Sequence, residues 1–296
     1  MSVILITGAS TGIGQESALH MARKGHKVYA GVRSPETATD LAEKIAAESL
    51  SVNVVRLDIL DQTSVDTCIA AIVAAEGTID VLVNNAGIGG GRAVEETPIE
   101  EARALFETNY FGQARVIAAV IPILRKKGAG RIVNVGSLAA TNTMGCHAHY
   151  SASKRAMVAL SEALAFELAE FNIKVALIEP GVVLTPIWEK GEMPDENGVY
   201  STALKRLMRF FAFGFTRPAF PADAAEAIAE AIESDQPRFR YPVGADAHES
   251  TAARASISDE EWVAMNCLPD EAFAQRWAEV SGVDYYGGEL PEAGQE

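Results

Sequence analysis

The stretch VILITGASTGIG, residues 3–14, joins an apolar run to a turn that contains three glycines. The run VILIT is rich in β-branched residues and predicts a buried β-strand. The residues after it predict a helix from about Gly12 to Lys24, which Gly25 ends. Glycine lets the backbone between such a strand and helix turn sharply and approach a pyrophosphate, which the helix N-terminus attracts. A plain glycine-rich turn is the alternative; if the turn binds a nucleotide, the expected contacts are Gly8, Ser10, Thr11, Gly12, Ile13 and Gly14.

Strand-like and helix-like segments alternate along most of the chain. The predicted strands are apolar on both faces, which is typical of a parallel sheet covered by helices. We therefore predict an α/β fold of the Rossmann type, a doubly wound parallel sheet of about seven strands with helices on both faces. The predicted strands are 3–7, 27–32, 52–57, 79–83, 131–136, 173–178 and 238–243, and the predicted helices are 12–24, 35–48, 62–75, 98–127, 150–171 and 222–234.

The regular alternation stops after residue 180. Residues 186–216 contain Gly, Pro and clustered Phe, and we predict a loop-rich insertion there that contributes to a substrate site. One domain is predicted to span residues 1–245. Residues 246–296 are predicted to form an acidic C-terminal extension with at most two short helices, around SDEEWVAMN and DEAFAQRWAEV.

The composition argues against several functional classes. The net charge is −15, and residues 189–296 hold 21 acidic against 9 basic side chains, so no basic face for nucleic acid is expected. No apolar run reaches the roughly 18 residues of a membrane helix, and the N-terminus predicts a strand rather than a signal peptide. Three widely separated cysteines argue against disulfides and a zinc knuckle. We expect a cytoplasmic protein without a metal site.

The end of the second strand indicates which nucleotide binds. NAD sites usually place Asp or Glu there, whereas this chain has Arg33 in the segment GVRS. A guanidinium can make a forked contact to a 2′-phosphate and stack on adenine. We therefore expect NADP(H) to be favoured over NAD(H), with a solvent-exposed arginine as the alternative.

The third and fourth strands end in further polar or small residues. Asp58 is placed either to accept a hydrogen bond from the adenine amino group or to cap the turn before the next helix. The segment NNAG, residues 84–87, has small residues under which a ribose can lie, although its asparagines are also ordinary turn formers. The residues expected to contact the cofactor here are Asp58, Ile59, Asn85, Ala86 and Gly87.

Seven motifs, in this order along the chain, resemble the short-chain dehydrogenase/reductase family. The resemblance covers about residues 1–245, and the thirteen-residue separation of Ser137 and Tyr150 is usual in that family. The segments VYAGVRS and RFRYPVG resemble the branch of hydroxysteroid, retinol and related lipid-alcohol dehydrogenases. The motifs are TGASTGIG (7–14), Asp58, NNAG (84–87), Asn109, Ser137, Tyr150-x-x-x-Lys154 and Pro180-Gly181 with Thr185.

Tyr150 and Lys154 lie four residues apart and therefore share one face of a predicted helix. A free tyrosine has a pKa of about 10, and lowering it to about 7 requires roughly 4 kcal/mol. An ammonium about 4 Å away supplies on the order of 4 kcal/mol at an effective dielectric of 20. We therefore expect Tyr150 to act as acid and base, while Lys154 lowers its pKa and binds the cofactor ribose. A surface pair is the alternative for this spacing alone.

Ser137 and Asn109 complete the expected catalytic set. Ser137 follows the fifth strand, at the sheet edge where ligands bind in such folds, and its hydroxyl can polarise a substrate oxygen. The family resemblance implies that Asn109 holds a water and joins Lys154 to a proton relay. A buried asparagine at a helix kink is the alternative for Asn109.

Residues near these groups are expected to bind substrate and nicotinamide. His147 and His149 lack a metal-binding spacing and are interpreted as pocket wall or packing. The expected substrate pocket contains Leu138, Met144, Cys146 and Phe211, the last within the segment RFFAFGF, whose clustered phenylalanines form either an apolar lid or ordinary packing. The expected nicotinamide contacts are Pro180, Gly181, Val183 and Thr185.

The motifs together predict an NADP(H)-dependent oxidoreductase that interconverts an alcohol and its ketone or aldehyde, with a hydrophobic substrate. Two alternatives remain at this point: a catalytically silent cofactor-binding regulator, and an epimerase or dehydratase. The resemblance implies a homodimer or homotetramer that pairs through the helices at 98–127 and 150–171.

Overall fold

The computed structural model of the chain describes residues 1–189 and 198–284. Within these residues, seven parallel strands form one sheet in the order β3-β2-β1-β4-β5-β6-β7. The strands are β1 (Val3–Thr7), β2 (Lys27–Val32), β3 (Val52–Arg56), β4 (Val81–Asn84), β5 (Gly130–Val135), β6 (Ile173–Pro180) and β7 (Arg240–Val243). The helices are α1 (Gly12–Arg23), α2 (Thr39–Glu48), α3 (Gln62–Glu76), α4 (Ile99–Phe106), α5 (Gln113–Lys127), α6 (Ala148–Glu167), α7 (Ser201–Thr216), α8 (Pro221–Glu233), α9 (Ala245–Ala255), α10 (Asp259–Asn266) and α11 (Asp270–Ser281).

The strand order reverses between β1 and β4. The chain leaves β1 towards β2 on one side and continues from β4 towards β5 on the other, so the crossovers after these two strands run in opposite directions. In open parallel sheets this switch point forms a crevice at the carboxyl edge, where ligands bind. The predicted Rossmann-type fold is confirmed, and the crevice fixes where a site can lie.

The centre of the sheet is buried on both faces. On one face Ile4 and Ile6 belong to the same apolar cluster as Ile228 of α8. On the other face Leu5 clusters with Val116 of α5 and Leu164 of α6. All of these side chains are at most 4% exposed, which explains why the strand sequences are continuously apolar rather than alternating.

Several element bounds differ from the sequence predictions by a few residues. The fourth strand begins at Val81 rather than at residue 79, and the second helix begins at Thr39, after a short turn at Pro35–Thr37. The long helix predicted over residues 98–127 contains a π-helix, Glu107–Gly112, between α4 and α5. Insertions of this kind are rare and often lie at functional sites.

The predicted loop-rich insertion at 186–216 is wrong over its second half, since α7 spans Ser201–Thr216. Leu204 and Leu207 of α7 are buried against the loop before α6, whereas Phe210 and Phe213 pack towards the C-terminal helices. The helix is therefore amphipathic, with apolar side chains packed against the loop before α6 and against the C-terminal helices. Its clustered phenylalanines belong to this helix and not to a loop. Residues 190–197 of the predicted insertion lie outside the described residues.

The prediction of at most two short helices after residue 245 is also wrong, because α9, α10 and α11 are all present. The missed helix, α9, buries only small side chains such as Ala247, Ser250 and Ala253, so it carries little apolar periodicity. Trp262, Phe273 and Trp277 of α10 and α11 form an apolar cluster packed by α7. The boundary at residue 245 stays a prediction, although these helices pack closely on the sheet domain.

Asp246 of α9 joins the C-terminal helices to the loop after β6. Its buried carboxylate, 3% exposed, accepts hydrogen bonds from the backbone N–H of Val182 at 2.7 Å and of Ala247 at 2.9 Å. The carboxylate lies so close to Gly181 and Gly244 that a side chain at either position would collide with it. Burial raises the pKa of Asp246, and the backbone N–H donors oppose that rise.

Replacing Asp246 should destabilise the protein. Asp246→Ala leaves the Val182 N–H without its acceptor in a buried position, and we expect a loss of roughly 2–4 kcal/mol in the free energy of unfolding. Urea denaturation measures it. Asp66→Ala on the exposed face of α3 is the matched control, with an expected change within about 0.5 kcal/mol. Equal stability of the two variants would contradict a structural role for the Asp246 carboxylate.

Candidate active site

The turn after β1 and the turn after β4 are packed backbone against backbone. Gly8 has a φ of +65°, and a Cβ at this position would lie 2.7 Å from the Cα of Ala86. The Asn85 side chain donates to the carbonyls of Thr7 and Gly8, at 3.1 and 3.0 Å. A Cβ at Gly14 would collide with that Asn85 amide. The predicted glycine turn therefore has no room for side chains, and its backbone faces the crevice at the N-terminus of α1.

The N-terminus of α1 offers polar groups to a ligand. Its first turn contains no acidic residue, and the Thr11 side chain makes no capping hydrogen bond. On the opposite side, the Thr185 methyl group lies 3.1 Å from the place where a Cβ on Gly12 would be. The loop after β6, which holds Pro180, Gly181 and Val183, thus approaches the glycine turn. The structure brings the two predicted halves of the cofactor site together, and an anion would find a favourable position between them.

The predicted adenine side lies at the ends of β2 and β3. Arg33 is exposed, and within the described part of the chain it has no ion-pair or hydrogen-bond partner. The Asp58 carboxylate accepts from the Leu60 N–H at 3.0 Å, so it does cap its turn. The Ile59 side chain is buried against Gly112 of the π-helix. Any contact from Ile59 to a ligand must therefore come from its backbone.

Asn109 lies in the π-helix and is fully buried. Its side chain accepts from the Ile88 N–H at 2.9 Å and donates to the Ile88 carbonyl at 3.0 Å and the Ser153 hydroxyl at 3.1 Å. Asn109 therefore connects the loop after β4 to α6 through hydrogen bonds. Its role in a proton relay, which the family resemblance implies, stays a prediction.

Ser137, Tyr150 and Lys154 meet where β5 ends and α6 begins. The Ser137 side chain hydrogen-bonds to Tyr150. Lys154 is 4% exposed, and its ammonium donates to the Val135 carbonyl at 3.1 Å and lies 5.9 Å from the centre of the Tyr150 ring. Gly87 faces both Lys154 and Asn109, since a Cβ there would lie 3.4 and 3.1 Å from their polar atoms. All four predicted catalytic residues are thus gathered at the crevice.

The electrostatics of this group differ from the sequence prediction. Burial raises the pKa of Tyr150, and only the hydrogen bond from Ser137 opposes that rise. Burial also lowers the pKa of Lys154, to about 8. The predicted lowering of the Tyr150 pKa by Lys154 is wrong for this state, because both groups are desolvated and the ammonium points to a backbone carbonyl. A further positive charge near the phenol is needed to lower its pKa.

The predicted substrate pocket is partly assembled by the loop before α6. Met144, Cys146 and Phe211 belong to one apolar cluster with Leu204 and Leu207 of α7. Leu138, 3% exposed, lies at the end of β5 next to Ser137. Burial raises the pKa of the Cys146 thiol, so this cysteine is a poor nucleophile at neutral pH. Within residues 1–189 and 198–284, no cluster of His, Cys, Asp and Glu could hold a metal ion.

Sequence reasoning missed two features of the site. Asn84 donates to Asn134 at 3.1 Å, and Asn134 donates to Ser161 of α6 at 2.9 Å, so a buried polar chain ties β4, β5 and α6 together. His147 stacks on Tyr150, with ring centres 4.6 Å apart and 18° between the planes. The only available signal for the stacking was that His147 precedes Tyr150 by three residues, which one sequence cannot distinguish from packing.

Comparisons with known proteins agree with this geometry. A family model described as "short chain dehydrogenase" matches residues 2–195. The 3-ketodihydrosphingosine reductase of Bacteroides thetaiotaomicron is 34% identical over 245 residues, covering 82% of this chain and 87% of that protein. Human retinol dehydrogenase 8 is 33% identical over 259 residues, covering 80% of this chain and 79% of that protein.

Solved structures are similar as well. A short-chain dehydrogenase from Streptomyces avermitilis has a TM-score of 0.78 and 35% identity, covering 89% of this chain and 97% of that one. An alcohol dehydrogenase from Thermococcus sibiricus, in complex with 5-hydroxy-NADP, has a TM-score of 0.68 and 25% identity, covering 82% of this chain and 96% of that one.

Among the helices described here, none is long and apolar enough to span a membrane.

The pKa of Lys154 yields a stability prediction. Between about pH 8 and the ordinary lysine value of about 10.5, the unfolded chain holds a proton that the folded chain has released. Stability contributed by this group therefore rises with pH across that window, by up to about 3 kcal/mol. Lys154→Met lacks the titrating group, so the free energy of unfolding of the wild type minus that of the variant should increase between about pH 7.5 and 10. Urea denaturation at several pH values measures this difference, and a constant difference would contradict the lowered pKa.

Proposed function

Because the chain belongs to the short-chain dehydrogenase/reductase family of oxidoreductases, we propose that it interconverts an alcohol and its ketone or aldehyde with NADP(H). The observation that carries the proposal is the meeting of Ser137, Tyr150 and Lys154 beside a glycine turn at the switch point of the sheet. A phenol, a hydroxyl and an ammonium in one buried crevice suit proton transfer to a single substrate oxygen.

The residues at the crevice fit a dinucleotide. A side chain at Gly8 or Gly14 would fill the space at the N-terminus of α1, and that end carries no acidic residue. We propose that the pyrophosphate binds there, that Asp58 lies at the adenine and that Lys154 binds the ribose of the nicotinamide. The proposed cofactor contacts are Gly8, Ser10, Thr11, Gly12, Ile13, Gly14, Arg33, Asp58, Ile59, Asn85, Ala86, Gly87, Tyr150, Lys154, Pro180, Gly181, Val183 and Thr185.

The chemistry follows from the three polar groups. NADPH, when bound, supplies the hydride that reduces the carbonyl carbon. The Ser137 hydroxyl binds the carbonyl oxygen and polarises it, and Tyr150 donates the phenolic proton to the same oxygen. In the oxidative direction the phenolate accepts that proton back, which its raised pKa favours. The Lys154 ammonium lies on the same face of α6 at 5.9 Å from the ring centre, but burial outweighs its effect on the phenol, and its proposed role is to bind the ribose.

The preference for NADP(H) is proposed from Arg33. Arg33 is exposed directly after the end of β2, on the predicted adenine side, and no described side chain pairs with it. The similar alcohol dehydrogenase from Thermococcus sibiricus carries an NADP derivative, which supports the same choice here.

The proposed substrate is hydrophobic. Met144, Cys146 and Phe211 give the pocket an apolar wall, and Trp188 contacts Phe211 edge to face at 5.0 Å. Two relatives are named for retinol and for 3-ketodihydrosphingosine, which supports a lipid-like carbonyl or alcohol.

We also propose that the protein is cytoplasmic and forms a homodimer or homotetramer. The assembly is proposed because Phe166 of α6 and Phe111 of the π-helix are 80% and 51% exposed. Light scattering tests the assembly.

Two other functions on this fold remain to be separated by experiment. A catalytically silent cofactor-binding regulator would bind NADPH without consuming it, and an epimerase or dehydratase would form product with no net change in cofactor. A titration with NADPH and NADH, followed by absorbance assays on a panel of apolar ketones and aldehydes, distinguishes them. Cofactor consumption supports the proposal, and binding without consumption across the panel contradicts it.

Arg33→Asp should weaken NADPH binding by about 10–100-fold, because a charge-assisted contact to the 2′-phosphate is lost. The affinity for NADH should change far less, since NADH has no 2′-phosphate. Titration calorimetry measures both dissociation constants. Arg238→Asp is the control, because Arg238 pairs with Glu230 next to β7 at the amino edge of the sheet. Equal loss for both cofactors would contradict the assignment of Arg33.

Tyr150→Phe should reduce kcat by at least 10²-fold, because the variant has no proton to donate. The dissociation constant for NADPH should remain within about twofold of the wild-type value, since the ring is retained and the crevice keeps its shape. Steady-state kinetics and titration calorimetry on the same preparation measure the two quantities. Residual turnover above about 1% would contradict the role of Tyr150 as acid and base.

A further inference from the structure

His147 lies against the face of the Tyr150 ring. The two rings are nearly parallel, with 18° between their planes and 4.6 Å between their centres. His147 occupies the N-cap position of α6, and its backbone carbonyl accepts from the Ser151 N–H at 2.9 Å. The imidazole is therefore held on the same helix as the phenol, one turn before it.

A second ring holds His147 from the side of α7. Phe211 contacts the imidazole edge to face, with ring centres 5.7 Å apart. Phe211 also contacts Trp188 edge to face at 5.0 Å, and the Trp188 indole donates to the Val183 carbonyl at 2.8 Å. An unbroken series of ring contacts thus joins Tyr150 to the loop after β6.

The imidazole takes part in this series as a neutral flat ring. Burial lowers the pKa of His147 to about 4, so the ring is uncharged near neutral pH. In the described part of the chain, neither ring nitrogen of His147 has a hydrogen-bond partner, and burial alone shifts its pKa. Face-to-face contact, rather than charge or hydrogen bonding, is what His147 supplies to Tyr150.

We propose that His147 is a positioning residue that fixes the Tyr150 ring for proton transfer, and that Phe211 of α7 keeps His147 in place. The proposal rests on the proposed function. Ser137 restrains the phenolic oxygen, but a hydrogen bond at one atom leaves the ring free to tilt. Stacking against its face removes that freedom, and a misplacement of about 1 Å in a catalytic group can cost up to 10²-fold in rate.

The test compares His147→Ala, which removes the ring, with His147→Phe, which keeps a flat ring and removes both nitrogens. We expect kcat to fall about tenfold in His147→Ala and to be largely recovered in His147→Phe. The KM for NADPH should stay within about twofold of wild type in both, because the contact concerns the acid and base alone. His248→Leu, on the exposed face of α9, is the control. His147→Leu replaces the alanine variant if that variant does not fold, since leucine fills the space without a flat ring.

Each outcome decides the proposal. Wild-type kcat in His147→Ala, an equal loss in both variants, or a parallel change in the KM for NADPH would overturn it. Phe211→Leu should reduce kcat as well, and its effect should be less than additive with His147→Ala in a double-mutant cycle. Fully additive effects would overturn the part of the proposal that concerns Phe211.

A readout without turnover separates this proposal from the proposed function. The pKa of Tyr150 is followed by tyrosinate absorbance, using Tyr150→Phe for subtraction. Without the stacked ring water reaches the phenol, so His147→Ala should lower this pKa by roughly half a unit or more, while His147→Phe should not. If the wild type reduces no carbonyl, the proposed function fails, and the titration still decides whether His147 controls Tyr150. Equal midpoints in wild type and both variants would overturn the proposal.

Discussion

The turn after β1 and the turn after β4 approach each other closely, and this approach determines how the carboxyl edge of the sheet is arranged. Asn85 binds the carbonyls of Thr7 and Gly8, and the Asn85 amide leaves no space for a side chain at Gly14. The turns after the two strands therefore form one continuous surface. Gly87, just beyond Asn85, lies against Lys154 and Asn109, so the same approach also positions the α1 N-terminus relative to α6.

Those parts of the fold that depend on nearby residues could be predicted from the sequence. The glycine turn, the seven strands and the Tyr150–Lys154 face follow from local periodicity and spacing. Helix α7 also has a local amphipathic pattern, but its clustered phenylalanines suggest a loop when their packing partners, which lie in the C-terminal helices, are unknown. Helix α9 is buried through small side chains, which give no hydrophobic pattern, and the π-helix follows from the tertiary contacts of Asn109 rather than from propensity.

The direction of the Tyr150 pKa shift is another feature that local sequence patterns do not predict. Charge and spacing alone predict that Lys154 lowers it. Burial by surrounding residues reverses the sign for the phenol and also weakens the charge on the lysine, because desolvation acts on every ionisable group in the crevice. A positive charge delivered by an oxidised cofactor would act in this same water-poor volume, where electrostatic interactions are strong. Within the described residues, only the hydroxyl of Ser137 opposes the desolvation of the phenol.

The carboxylate of Asp246 gives the acidic C-terminal region an evolutionary constraint. It binds the loop after β6, and it lies against the Cα of Gly181, on that loop, and of Gly244, at the start of α9. A larger residue at Gly181 requires the carboxylate to leave, whereas Gly244, with a φ of +97°, is favoured as glycine whether or not the carboxylate is present. Positions 181 and 246 should therefore change together in descendants of this sequence, which couples the loop after β6 to the first C-terminal helix.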